Sequence, residues 1–98
     1  MRRWLAEPSS YPHLQHEAAI RLFASDPGDA DDVVRCLRAL RDDLPRIEAL
    51  CDLYEERARS IPHRTRAIVL ELSLARRLVR AHREWIADVE RELGAVPR

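Results

Sequence analysis

Residues 64–93, RTRAIVLELSLARRLVRAHREWIADVEREL, decide the fold because they contain neither Gly nor Pro and are followed by Gly94 and Pro97. We predict one α-helix here, roughly 45 Å long at about 1.5 Å per residue. Its apolar residues form two adjacent stripes at helical spacing. The first stripe is interrupted only by His82 and comprises Ile68, Leu72, Ala75, Val79, Ile86, Val89 and Leu93. The second comprises Ala67, Leu70, Leu74, Leu78, Ala81 and Trp85.

The two stripes together cover close to half of the helix circumference. A helix that packs on one core needs an apolar arc of only roughly 100°. We therefore predict that this helix packs on two sides, with one stripe on the chain's own residues 27–60 and the other on a second copy of the chain. The spacing leaves open which stripe faces the partner.

The composition indicates a single helical, highly charged domain over residues 1–98. Apolar residues make up 46% of the chain and charged residues 35%, with only two Gly, which favours helices over a sheet. The 17 cations, all Arg, balance 17 anions, so no basic field predicts binding to nucleic acid. Neither a membrane-spanning run nor a signal peptide is present. We expect a cytoplasmic protein that does not contact membranes.

Two further helices are predicted before residue 64. The shorter runs from Pro12, a favourable first helical residue, to about Ala24. The longer runs from about 27 to 60, and its apolar residues keep an a/d spacing across Pro45, which predicts a kink without a break. These seam residues are Val33, Leu37, Leu40, Leu44, Ile47, Cys51, Tyr54 and Ala58. The predicted architecture is all-α, with short N-terminal helical segments and two long antiparallel helices that form an intertwined homodimer.

The metal-ligand and disulfide candidates are weak. His13 and His16 are three residues apart and do not match the HExxH order of zinc proteases, and no third ligand is evident. We interpret both as exposed surface histidines and predict no metal and no cofactor. Cys36 and Cys51 are on the order of 22 Å apart along one helix, too far for a disulfide, so we interpret them as small buried apolar residues.

Two polar residues, Glu71 and His82, interrupt the apolar arc of the 64–93 helix. They are about 16 Å apart along one helix, but a symmetric antiparallel contact between two chains would bring Glu71 of one chain near His82 of the other. One interpretation is a structural pairing, with Tyr54 or an Arg as other partners. The other is a ligand-binding cavity formed by Glu71, His82, Trp85 and Tyr54, in which His82 is the polar group and the two aromatic residues are the walls.

The remaining polar residues give little support to nucleic-acid binding or catalysis. Arg76, Arg77, Arg80 and Arg83 lie opposite the apolar arc. Such a stripe can contact phosphate, but it is more often a solvated face with partners four residues away, as Arg80 and Glu84 would be. The chain has no nucleophile–base arrangement and no Gly-rich phosphate loop. We therefore predict no direct nucleic-acid contact and no enzymatic activity.

The motif RRWLAEP, residues 2–8, resembles the junction that opens the C-terminal domain of PadR-like transcriptional regulators of the virulence-activator type. Later segments resemble the same domain in order. Residues 17–23 are similar to its E-x-x-x-K/R-L-F helix and residues 26–30 to its D-P-E-E-A helix start. Residues 84–86 with Leu93 are similar to its closing E-W-L and terminal Leu. Ala24 and Pro45 depart from the family pattern.

The resemblance implies a homodimerisation and effector-sensing module that follows a winged helix, which these 98 residues lack. The module is either cut from a longer repressor or encoded alone, and in the second case we expect it to pair with a full-length PadR-like regulator. The alternative is a stand-alone helical protein that binds a small molecule, or acts as an enzyme, at the dimer cavity. The predicted dimer interface comprises Trp4, Leu5, Leu70, Leu74, Leu78, Ala81, Trp85, Ile86, Val89 and Leu93.

Overall fold

The computed structural model describes residues 5–10 and 16–94 of the chain. Their regular structure is entirely helical and consists of two helical residues, Leu5 and Ala6, followed by α1 (Glu17–Ala24), a 3₁₀ turn (Pro27–Asp29), α2 (Ala30–Ala58) and α3 (Pro62–Gly94). The prediction of an all-α fold is confirmed. Among these described residues, no helix combines the length and apolar character that crossing a membrane requires.

The first helix is shorter than predicted. His16 has an extended backbone, with φ −91° and ψ 104°, so α1 begins at Glu17, and the predicted start at Pro12 lies outside the described residues. The Nδ1 atom of His16 accepts a hydrogen bond from the backbone N–H of Ala19 at 3.2 Å. His16 is therefore the N-cap of α1, a position more often held by Ser, Asp or Asn. At the other end, the Ser25 hydroxyl donates to the carbonyl of Leu22 at 2.7 Å.

The second helix continues through Pro45 without a break, as predicted. Proline has no N–H to donate to the carbonyl of Arg41, so one helical hydrogen bond is missing at this point. Pro45 is exposed, whereas its neighbour Leu44 is buried. The seam is buried on both sides of the proline, at Leu37 and Leu44 before it and at Cys51 after it.

The two long helices pack against each other along the seam of α2 and the first stripe of α3. The turn between them is held by the Thr65 hydroxyl, which donates to the carbonyl of Ala58 at 2.7 Å. Successively earlier residues of α2 pair with successively later residues of α3, as the ion pairs Glu55–Arg76, Glu48–Arg83 and Arg41–Glu90 show. The buried residues of this contact are Val33, Leu37, Leu44, Cys51 and Ala58 of α2, and Leu72, Val79, Ile86 and Val89 of α3.

A small core at one end of the helix pair holds α1 in place. Ala18 of α1 is buried together with Val33 and Leu37 of α2 and Ile86 and Val89 of α3. Leu22 packs against the edge of this cluster. Because α1 contributes one buried residue, its attachment depends on few apolar contacts and is sensitive to its polar ones.

Candidate functional site

The second apolar stripe of α3 is largely exposed in the single chain. We call Ala67, Leu70, Leu74, Leu78 and Ala81 the leucine stripe. Its three leucines are 64%, 59% and 50% exposed in chain order, while Leu72, Val79, Ile86 and Val89 of the first stripe are buried. Single exposed leucines are ordinary on protein surfaces, but a contiguous apolar row marks an interaction site. The leucine stripe is therefore the first candidate functional surface.

The other residues predicted for the dimer interface differ in their exposure. Leu5 is exposed and Trp85 is partly buried, whereas Trp4 lies outside the described residues. Ile86 and Val89 are 0% and 8% exposed because they pack into the chain's own core, so in the single chain they present almost no surface to a partner. Leu93 is partly buried against the same core.

A second feature, which the sequence did not reveal, is a pair of histidines that joins the start of α1 to α3. The Nε2 atoms of His16 and His82 lie 2.8 Å apart. The ring centroids are 5.0 Å apart and the ring planes differ by 25°. Since the centroids are separated by far more than the two nitrogens, the rings meet edge to edge in one hydrogen bond. Trp85 contacts His16 with its ring nearly perpendicular, at 79°.

The partners on the far side of each ring determine where the protons lie. Nδ1 of His16 accepts the Ala19 N–H, so in the neutral ring the proton of His16 is on Nε2. Nδ1 of His82 is 2.7 Å from the carbonyl oxygen of Leu78, to which it must donate. The Nε2 atom of His82 then has a free lone pair and accepts from His16. All four ring nitrogens are satisfied in this single neutral arrangement.

The histidine pair corrects the interpretation of His16 as an exposed surface residue, because His16 is partly buried and bonded on both sides of its ring. Among the described residues, the side-chain partner of His82 is His16 and not Tyr54 or an Arg. The pairing of His82 with Glu71 of a second chain stays a prediction. Two features of the sequence could have indicated the histidine pair. His82 interrupts an apolar stripe and requires a polar partner there, and His16 directly precedes a helix. His13, the other predicted surface histidine, lies outside the described residues.

The geometry does not suit a metal ion. Among the described residues, no group of three or more His, Cys, Asp or Glu side chains is placed to hold one. A metal on Nε2 of His16 would move the ring proton to Nδ1, where it would face the N–H of Ala19. The helix-capping role of His16 is therefore incompatible with metal ligation through its Nε2 atom.

A shallow cavity of about 190 Å³ lies beside the histidine pair. Its lining is mainly apolar and consists of His16, Ala19, Ala81, His82 and Trp85. Of the predicted ligand-binding residues, the structure brings His82 and Trp85 together here. Tyr54 and Glu71 are exposed elsewhere on α2 and α3 and do not line this cavity. Because both imidazoles already have partners, the cavity offers an apolar surface without a free polar group.

The arginines predicted on the polar face of α3 differ in environment. Arg76 pairs with Asp52 at 3.0 Å and with Glu55 at 3.4 Å, and Arg83 pairs with Glu48. The hydrogen bond from Arg83 lowers the pKa of the Glu48 carboxyl, and the bond to Asp52 raises the pKa of Arg76. These two arginines therefore hold α3 to α2, whereas Arg77 and Arg80 are exposed.

The two cysteines are both free, as predicted. Cys51 is buried in the seam, whereas Cys36 is partly buried and accepts a hydrogen bond from Arg21 at 3.3 Å. Cys36 thus provides a polar contact between α1 and α2 that the interpretation as an apolar residue did not include.

Comparison with known proteins does not extend these assignments. No protein-family model, curated protein or solved structure matches the chain. The leucine stripe, the histidine pair and the sequence resemblance are the features that indicate a function.

Proposed function

We propose that this chain is a homodimerisation module of a PadR-like transcriptional regulator, in which the two long helices form an antiparallel hairpin and two hairpins associate through α3. The observation that carries the proposal is the leucine stripe. A monomer would leave Leu70, Leu74 and Leu78 in water along two turns of one helix, beside a first stripe that is already buried.

A second copy of the chain is the partner that best fits this surface. Most homo-oligomers are twofold symmetric, and in such a dimer one patch contacts the same patch on the other subunit. A straight apolar row meets this requirement because it can pack against itself in the antiparallel direction. The formal net charge of the chain is +0, so two copies do not repel one another through net charge.

Other exposed apolar residues extend the same argument to α1. Ile20 is 55% exposed and Phe23 is 93% exposed, although Ala18 on the same helix is buried. An eight-residue helix that is apolar on both its inner and outer sides fits an intertwined dimer, in which the outer side contacts the partner subunit. The proposed interface therefore includes α1 as well as the leucine stripe.

The regulatory part of the proposal rests on the motif RRWLAEP at residues 2–8. By this resemblance, the module pairs regulator subunits in the cytoplasm, senses an effector at the dimer interface and leaves DNA contact to a winged helix. The balanced charge and the pairing of Arg76 and Arg83 with carboxylates of α2 support the absence of direct DNA contact. The alternative, a stand-alone ligand-binding protein, has less support because the cavity beside His82 has no free polar group.

The mass of the protein in solution tests the dimer. Light scattering combined with size-exclusion chromatography at micromolar concentration should give twice the chain mass of 11.4 kDa. A mass that stays at one chain over the accessible concentration range would contradict the proposal.

Native mass spectrometry tests the regulatory role separately. The chain should form a heterodimer when it is mixed with a full-length PadR-like regulator that contains the same RRWLAEP junction. A regulator with an unrelated dimerisation domain is the matched control. Homodimers of the chain without any heterodimer would leave the dimer in place and contradict the link to this family.

A further inference from the structure

We propose that His16 and His82 form an acid-sensitive latch that holds α1 to α3 when both rings are neutral and releases α1 when they become protonated. The proposal stands on the geometry of the pair in the single chain and does not depend on the dimer. Histidine is the side chain that ordinarily changes charge between about pH 5 and 8, so a latch built from two histidines responds to mild acidification.

The neutral pair uses every hydrogen-bonding position that the two rings possess. His16 accepts from Ala19 and donates to His82, and His82 in turn donates to the carbonyl of Leu78. These three hydrogen bonds form a series from the N-terminus of α1 to the backbone of α3, and in each bond the donor is on the side of α1 and the acceptor is on the side of α3. No nitrogen in it is available to bind a further proton without loss of a bond.

The first added proton removes the N-cap of α1. If it binds Nδ1 of His16, that nitrogen no longer accepts the N–H of Ala19. If it binds Nε2 of His82, His16 must shift its own proton from Nε2 to Nδ1 to keep the bond between the rings, with the same result. In both cases an N–H faces an N–H, and positive charge lies near the positive end of the helix dipole.

The second added proton breaks the bond between the rings. Both Nε2 atoms then carry hydrogens and both rings carry positive charge, at positions that are 2.8 Å apart in the neutral pair. Two donors cannot bond each other, and the like charges repel in a partly buried environment. His16 and His82 therefore separate, and Trp85 loses its edge contact with His16.

The described charged groups around the pair are engaged with one another and make no hydrogen bond to either imidazole ring. On α1, Glu17 pairs with Arg21 at 3.9 Å. On α2, Cys36 accepts from Arg21. On α3, Arg83 is next to His82 in sequence and pairs with Glu48. Within the described part of the chain, no carboxylate contacts either ring. No negative charge at the pair therefore compensates the positive charge that protonation adds to the two rings.

The extent of the response follows from how α1 is attached. Ala18 is the only residue of α1 that is buried, while α2 and α3 share a long apolar contact of their own. Loss of the cap and of the bond between the rings therefore loosens α1 and leaves the helix pair intact. The conformational change is confined to α1.

Nuclear magnetic resonance of the full chain tests the starting state directly. Long-range proton–nitrogen spectra near neutral pH should show the Nε2–H form of His16 and the Nδ1–H form of His82. Between about pH 7.5 and 5.5, amide exchange in α1 should accelerate by about tenfold after correction for intrinsic rates, while α2 and α3 stay protected. An Nδ1–H form of His16, or α1 amides that keep their protection, would overturn the proposal.

Two variants separate the latch from general effects of acid. In His16→Asn, the asparagine keeps an N-cap but has no group that titrates in this range, so protection of α1 should become independent of pH between about 7.5 and 5.5. His63→Asn, which removes an exposed histidine on the same protein, should retain the full acid response. An unchanged response in His16→Asn, with helix content verified by circular dichroism, would contradict the latch.

Discussion

Leu78 and Val79 are consecutive residues of α3, yet Leu78 is 50% exposed while Val79 is 4% exposed. The helical step of about 100° places Val79 against α2 and Leu78 on the outside of the helix pair. The two apolar stripes of α3 therefore have different roles within one chain. The first stripe completes the monomer core, and the second is the surface on which we place the dimer.

Leu74→Glu should convert the dimer into a monomer. It puts a carboxylate in the middle of the leucine stripe, where burial in an interface would leave the charge unpaired. Sedimentation velocity should show about half the wild-type mass, with unchanged helix content. Ala87→Glu, an exposed position on another side of α3, is the matched control and should remain dimeric. If the Leu74→Glu protein remained a dimer, the interface would lie elsewhere.

Ile86→Ala should destabilise the folded chain by about 2–5 kcal/mol because it leaves a cavity in the core. Ile86 is fully buried within the chain, so the loss should appear in the Leu74→Glu background as well. Leu70→Ala in that background should change the free energy of unfolding by less than about 0.5 kcal/mol, as is usual for exposed positions. Urea unfolding measures the free energy of unfolding of both variants. Equal effects of the two substitutions would contradict the assignment of the stripes.

Pro45→Ala should stabilise the protein by about 1–2 kcal/mol. Alanine restores the N–H that can donate to the carbonyl of Arg41, and it avoids the steric cost of a proline inside a helix. The gain is reduced because proline also limits the freedom of the unfolded chain. Thermal unfolding of the variant should show a higher midpoint. Ala49→Pro, also exposed and inside α2, should lower it.

The Glu48–Arg83 pair should make stability fall under acidic conditions. The pKa of Glu48 is lowered from its ordinary value of 4.5 by the hydrogen bond from Arg83, so the unfolded chain binds its proton more readily than the folded chain does. The stabilisation is therefore complete above the ordinary glutamate range and is lost as the pH falls through the lowered value.

Substitution of Glu48 isolates this contribution. Glu48→Gln should be less stable than wild type at neutral pH and should lose less stability on acidification. Glu92→Gln, at an exposed position near the end of α3, is the control and should follow the wild-type pH dependence. Urea midpoints measured at several pH values provide the comparison. If the urea midpoints of wild type and Glu48→Gln changed in parallel with pH, the Glu48–Arg83 pair would make no contribution to the pH dependence of stability.

The helices were predictable from sequence because their signals are local. The absence of Gly and Pro from residues 64–93, and the unbroken spacing from Val33 to Ala58, each require only the helical repeat. The continuity of α2 across Pro45 followed from the same spacing. The start of α1 was misplaced because a histidine N-cap at residue 16 is unusual and the signal at Pro12 is stronger.

Helical spacing alone predicts that α3 has two apolar stripes and that His82 interrupts one of them. The packing of the helices then places Leu72, Val79 and Ile86 against α2, leaves Leu70, Leu74 and Leu78 outside, and brings His82 to His16. The reason is that helical periodicity defines the faces of one helix relative to each other but not relative to other helices. Which face is covered, and which side chains from distant segments meet, depends on how α1, α2 and α3 pack together.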